Sequence, residues 1–249
     1  MKAKTIFSII LGMAVLLTGF FALGEPVGSS ILAITILPAT LTDANGNEIP
    51  PLTRSQKRLF DYARMKANDV TLQAFLQRAL KWDNITYYIA KVITGLSGRQ
   101  ILLNASTSYL IGACNLDKGQ LPQYYNFCYD RVEVEEAINN TSASLTVQNM
   151  VSYSSVLTSM DAGLGNGHLI TMLNREVQME TPVSDFGSKA ALTGGGAKDF
   201  DGGELAEPLI WIEQQQIEVD VDLAGTIASA ANTTYAAKVL FKGTQIRLK

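Results

Sequence analysis

From Ile217 to Leu223 the chain alternates strictly, with Ile217, Val219, Val221 and Leu223 on one side and Glu218, Asp220 and Asp222 on the other. A period of two, with β-branched residues on the apolar side, predicts a strand that has one face on a core and one in water. Similar runs recur at 99–103, 124–135, 145–157, 168–180 and 238–249, with 108–113 as a further candidate. Within 145–157 the apolar set is Leu145, Val147, Val151, Tyr153 and Leu157. Asn139-Asn140, the run Gly163-Leu-Gly-Asn-Gly167 and a glycine-rich stretch over 194–203 punctuate these segments as turns. Strands at roughly even spacing, without helical patterns between them, predict a mainly β chain whose residues 99–249 form an antiparallel sandwich or jelly roll.

Upstream of residue 99 the period changes. Leu59, Phe60, Ala63 and Ala67, then Leu72, Phe75, Leu76, Ala79 and Leu80, recur at three and four residues. They predict two amphipathic helices, broken near Asn68-Asp69, within a helical segment over 52–98. Residues 25–51 read as a short apolar strand or extension (29–37) and a turn-rich linker containing Asn45-Gly46 and Pro50-Pro51.

The first 24 residues are of another kind. After Lys2 and Lys4 comes an uncharged run over 5–23 that includes Ile6, Phe7, Ile9, Ile10, Leu11, Val15, Leu16, Leu17, Phe20 and Phe21. As a helix it would cover about 28 Å, close to the bilayer core of roughly 30 Å. A retained membrane anchor and a cleavable secretory signal ending near Ala22-Leu23-Gly24 both fit; the second would leave a periplasmic or extracellular protein.

Net charge is −3, but it is unevenly spread. Residues 51–99 hold nine Lys/Arg against three Asp, a net +6, whereas residues 100–249 hold nine basic and seventeen acidic side chains, a net −8. Such asymmetry points to a partner for the basic face, and Arg54, Lys57, Arg58, Arg64 and Lys66 are the candidates for assembly or lipid contact. A plain solvated surface is the competing reading. No motif for sequence-specific nucleic-acid recognition accompanies the charge.

Catalytic signatures are missing. His168 is the only histidine, placed after a Gly/Asn turn where a strand would start. No Gly-x-Ser-x-Gly, Walker loop, Cys-x-x-Cys or His-x-x-x-His occurs, so no enzyme chemistry, cofactor or metal is expected. Successive members of the row Glu218, Asp220 and Asp222 lie about 6.6–6.8 Å apart along a strand, a gap that calcium sharing would close only at a cost in ordering and repulsion, and they read as a solvated or interface face. The cluster Asp199-Phe-Asp-Gly-Gly-Glu204 does not match a calcium loop. Cys114 and Cys128 are the only cysteines. They could pair in an exported domain or remain buried thiols in a cytosolically assembled one.

The segments LPQYYNF (121–127), NGHLITMLNREV (166–177), TPVSDF (181–186) and KVLFKGTQIR (238–247) together resemble structural proteins of bacteriophage virions with jelly-roll folds. The resemblance covers residues 99–249 and lies in strand and turn style. It implies a non-enzymatic building block that self-associates into a homo-oligomer or shell with other virion proteins, and the N-terminal apolar run suits a virion that contains a membrane. An exported β-sandwich adhesin or carbohydrate binder is the alternative, for which Trp82, Trp211, Tyr124 and Tyr125 would have to line one solvent-facing groove.

Overall fold

In the computed structural model, which describes residues 52–65, 80–142, 145–187 and 203–248, the alternating run Ile217–Leu223 is a strand whose apolar side chains are all buried. The elements in chain order are α1 (Arg54–Met65), β1 (Leu80–Val92), β2 (Gly98–Leu103), β3 (Tyr125–Asn139), β4 (Tyr153–Ser154), α2 (Ala162–Gly165), β5 (His168–Leu173), β6 (Glu176–Pro182), β7 (Glu204–Trp211), β8 (Ile217–Leu223) and β9 (Thr234–Leu248). They form two antiparallel sheets. One runs β1-β9-β3, with β7 and β4 on the far side of β3, against its first and second halves respectively. The other runs β2-β8-β5-β6. The described residues belong to one compact unit that starts at Leu52. The first 51 residues, including the apolar run and the linker, lie outside the described residues, as do most of the second expected helix and Lys66.

Between the sheets sits an aromatic cluster contributed by four strands: Tyr87, Phe127, Tyr129, Trp211 and Phe241, with neighbouring ring centroids 4.7 to 6.1 Å apart. Leu169, Val219, Val221 and Leu223 of the second sheet join the same core. Each such side chain contributes about 1.5–3 kcal/mol relative to exposure. The Tyr129 hydroxyl reaches across to Thr171 Oγ1 at 3.3 Å, which satisfies a buried polar group from each sheet.

Two local devices shape the first sheet. A bulge shifts the register of β3 between Tyr129 and Arg131, and there a Cβ on Gly243 of β9 would collide with the Cys128 carbonyl, so only glycine fits. The free edge of β1 is covered by 113–115: Ala90 N donates to Ala113 O, and Asn115 brackets Tyr88 through its backbone N–H and its side-chain oxygen. Covering an edge in this way removes a template for unwanted strand pairing.

Several expectations change, among them the run 168–180, which is the β5–β6 hairpin rather than one strand. Residues 80–92, assigned to the helical segment, form β1, because Ile85, Tyr87 and Ile89 alternate onto the core. Residues 108–113 make no strand, and Tyr109, Leu110 and Ile111 are exposed in a loop. The stretch 145–157 breaks into two 3-10 turns around the two-residue β4; Met150 is buried while Val151 is 85% exposed, against the expected phase. Asp220, expected in water, is 3% exposed.

Positions 218 and 219 of β8 should therefore differ sharply. Val219→Asp is expected to cost at least about 3 kcal/mol through an unpaired buried charge, while Glu218→Gln should stay within about 0.5 kcal/mol. Urea unfolding midpoints check this, and equal tolerance at both positions would contradict the packing described.

Candidate interaction surfaces

Helix α1 begins with a reciprocal cap, in which Gln56 N donates to Thr53 Oγ1 and Thr53 N donates to Gln56 Oε1. Its apolar face buries Leu59 completely against Cys128 and Ile246, with Trp82 and Ile210 packed alongside. Cys128, Ile246 and Trp82 lie out of phase with the core residues of their strands, so α1 covers the outer face of the first sheet.

The basic residues of this region have separate fates. The Arg54 guanidinium pairs with Glu204 and also donates to the carbonyls of Leu205 and Ala206, which ties α1 to the start of β7. Lys57 and Arg58 are exposed, without a carboxylate partner among the described residues. Arg64 occupies the last turn of α1.

Beside α1 an open groove of about 400 Å³ crosses the same sheet face, lined by Thr53, Ser55, Asn84, Thr86, Asp130, Arg131, Lys242 and Thr244, among others. Its lining is mostly hydroxyls and charges of both signs. Lys242 is held by Glu133 at 2.7 Å, and Ser55 by Thr244 at 3.0 Å.

The outer face of the second sheet carries Glu218, Asp220 and Asp222 of β8, Glu180 of β6, and His168 of β5, which starts its strand as expected. Against these acids stands Arg99 of β2, whose guanidinium binds Asp220 Oδ2 at 2.7 Å and lies 3.6 Å from Met172 Sδ. Asp220 Oδ1 has no partner. Thus Arg99, counted with the basic segment, neutralises part of the acidic domain, and Arg54 does the same at Glu204.

Besides Asp220, a second acid is buried that the sequence did not single out, Glu136. Glu136 continues the inward phase of Val132 and Val134, and that phase was the available signal. It is 3% exposed; Oε2 accepts from Asp161 N at 2.7 Å, and Oε1 has no partner. Asp161 in turn accepts from Gly163 N and Ala228 N, so β3, α2 and the β8–β9 connection meet at this point. Burial, with the nearby Asp161 carboxylate adding to it, pushes the Glu136 carboxyl up to about 7.

Cys114 and Cys128 are both free and buried. Cys114 lies in the main core and donates to Leu116 O, whereas Cys128 lies beneath Leu59 on the opposite face of the first sheet. No disulfide joins them. Burial raises both thiols, Cys128 to about 12.

The four aromatics needed for a sugar groove are dispersed. Trp211 is fully buried in the core, Trp82 packs near Leu59, Tyr125 packs against the core and Tyr124 is exposed. Among the described residues no three of His, Cys, Asp and Glu gather as a metal set, and no helix is long and apolar enough to cross a membrane. Glu204 serves Arg54, while Asp199 and Asp201 lie outside the described residues.

No family model matches the chain, and no curated protein matches it.

Glu136 makes stability depend on pH. Its folded pKa of about 7 lies above the ordinary 4.5, so between these values the folded state keeps a proton that the unfolded chain has released. Its contribution is therefore most favourable below pH 4.5 and is lost as pH rises to about 7. Glu136→Gln should flatten that part of the profile in urea titrations at pH 5 and pH 8; an unchanged slope would remove Glu136 as its source.

Proposed function

We propose that the chain is a non-enzymatic assembly subunit of a virion shell, built on a jelly roll and held at lipid by its N-terminal apolar run. The observation that carries this reading is the strand order. Setting aside the two-residue β4, eight strands divide as β1-β9-β3-β7 and β2-β8-β5-β6. Successive strands cross from sheet to sheet except at the β5–β6 hairpin, whose turn places Asn174 and Arg175 at positive φ. Two interlocked four-stranded sheets wound in this order fit the double Greek key used in capsid domains.

Jelly rolls also serve in lectins, and the exported binding module is the second reading. The polar groove beside α1 favours it, while the dispersal of Trp82, Trp211, Tyr124 and Tyr125 takes away the aromatic platform it would need. The virion reading draws further support from exposed apolar side chains at Tyr109, Leu110, Ile111, Val151 and Val177, which an assembly would cover.

Full-length protein purified from its native source should form ordered arrays or closed particles in electron micrographs, fractionate with lipid and keep Met1 or Lys2 at its N-terminus. Dispersed monomers would contradict the assembly role. An N-terminus at Glu25 would contradict the anchor.

A further inference from the structure

We propose that the acidic outer face of β2-β8-β5-β6 is the docking surface for helix α1 of a second copy of this chain. The inference deepens the assembly reading and rests on it.

Three observations point the same way. First, the face carries four carboxylates, Glu180, Glu218, Asp220 and Asp222, against the single guanidinium of Arg99. Arg99 already binds the buried Asp220 and His168 Nδ1 lies 3.8 Å from Glu180, which leaves Glu218 and Asp222 without an ion-pair partner among the described residues. Second, apolar side chains flank these acids: Ile101 on β2 is 50% exposed and Val177 on β6 is 58% exposed. The centre of this face, at Ile170, Met172 and Asp220, is buried, and the exposed aliphatics and acids around it have the composition of a contact surface, in which apolar burial supplies binding and charge sets register.

Third, the complementary surface is on the same chain but on the other side of the sandwich. Helix α1 packs Leu59 on the outer face of the first sheet and turns Lys57 and Arg58 outward. The acidic face is the outer face of the second sheet, so one copy cannot satisfy itself. Contact between copies is head-to-tail, the kind that repeats into rings or extended arrays.

The test uses full-length protein in mild detergent, with three samples compared with wild type by sedimentation velocity: K57E/R58E, E180K/D222K, and an equimolar mixture of the two. In the mixture, a reversed helix meets a reversed face and a native helix meets a native face. Each variant alone should associate about tenfold more weakly than wild type, because it loses exposed ion pairs and sets like charges across the contact. Mixing should restore association, which also establishes that both variants are folded.

Wild-type association retained by either variant alone, or no recovery on mixing, overturns the interface while leaving assembly itself standing. If K57E/R58E loses binding to phosphatidylserine vesicles but keeps its self-association, the helix cations serve lipid and the proposal is wrong. Wild type that stays monomeric at every concentration overturns the assembly reading together with this one.

Discussion

The structure depends on the insertion of β9 between β1 and β3. This last strand, Thr234–Leu248, pairs with β1 from Leu80↔Leu248 to Val92↔Ala236 and with β3 from Tyr125↔Arg247 to Asn139↔Thr234. Without it the first sheet has no centre, and Phe241 and Val239 leave the core. Its partners are distant in sequence, so the sheet closes only once the C-terminal residues are available, and such non-local pairing is intrinsically slow. The requirement for glycine at 243 follows from the same insertion: β9 must pass the β3 bulge at a distance no side chain allows.

With that strand in place, the layers decide which surfaces remain. Helix α1 takes one end of the outer face of the first sheet, and the short segment bearing Met150 takes the other, where it packs on Ala137 and Ala236. The polar groove lies beside α1. The second sheet presents acids. Charge separation between the basic segment and the acidic domain is thus partly cancelled inside the molecule, at Arg54–Glu204 and Arg99–Asp220, and partly left outward at Lys57 and Arg58. Glu136 and Asp220 each hold one unpartnered buried oxygen, a cost that the rest of the fold sustains.

Much of the β-architecture was legible because it is written in local alternation. β8 is the clearest case, and β2, β3 and β9 followed from the same signal with shifted ends. β1 was obscured because a three-to-four residue period leads up to Leu80, while Asp83 and Asn84 dilute the alternation that follows. The stretch 145–157 failed for the opposite reason: its apolar residues alternate, but only short-range turns and Met150 burial are realised. The site chemistry was less accessible. Arg99 and Asp220 are 121 residues apart, so nothing local announces their pairing. Glu136 was readable from its phase on β3, yet a run of acids such as Glu133, Glu135 and Glu136 invites a solvated reading of all three. Cys114 and Cys128 are near in sequence but separated by the thickness of a sheet, which spacing cannot reveal.

Disulfide trapping on the outer face of the first sheet tests the central placement of β9 most directly. Thr86, Lys242 and Arg131 form one row across β1, β9 and β3. Neighbouring antiparallel Cα atoms lie about 4.5–5.5 Å apart, within disulfide range, whereas strands once removed are roughly 10 Å apart and out of it. The buried native thiols should not interfere. The pairs Thr86→Cys with Lys242→Cys, and Arg131→Cys with Lys242→Cys, should each crosslink on mild oxidation, and Thr86→Cys with Arg131→Cys should not. Crosslinking of the last pair, with failure of the first two, would place β1 directly against β3 and contradict the account.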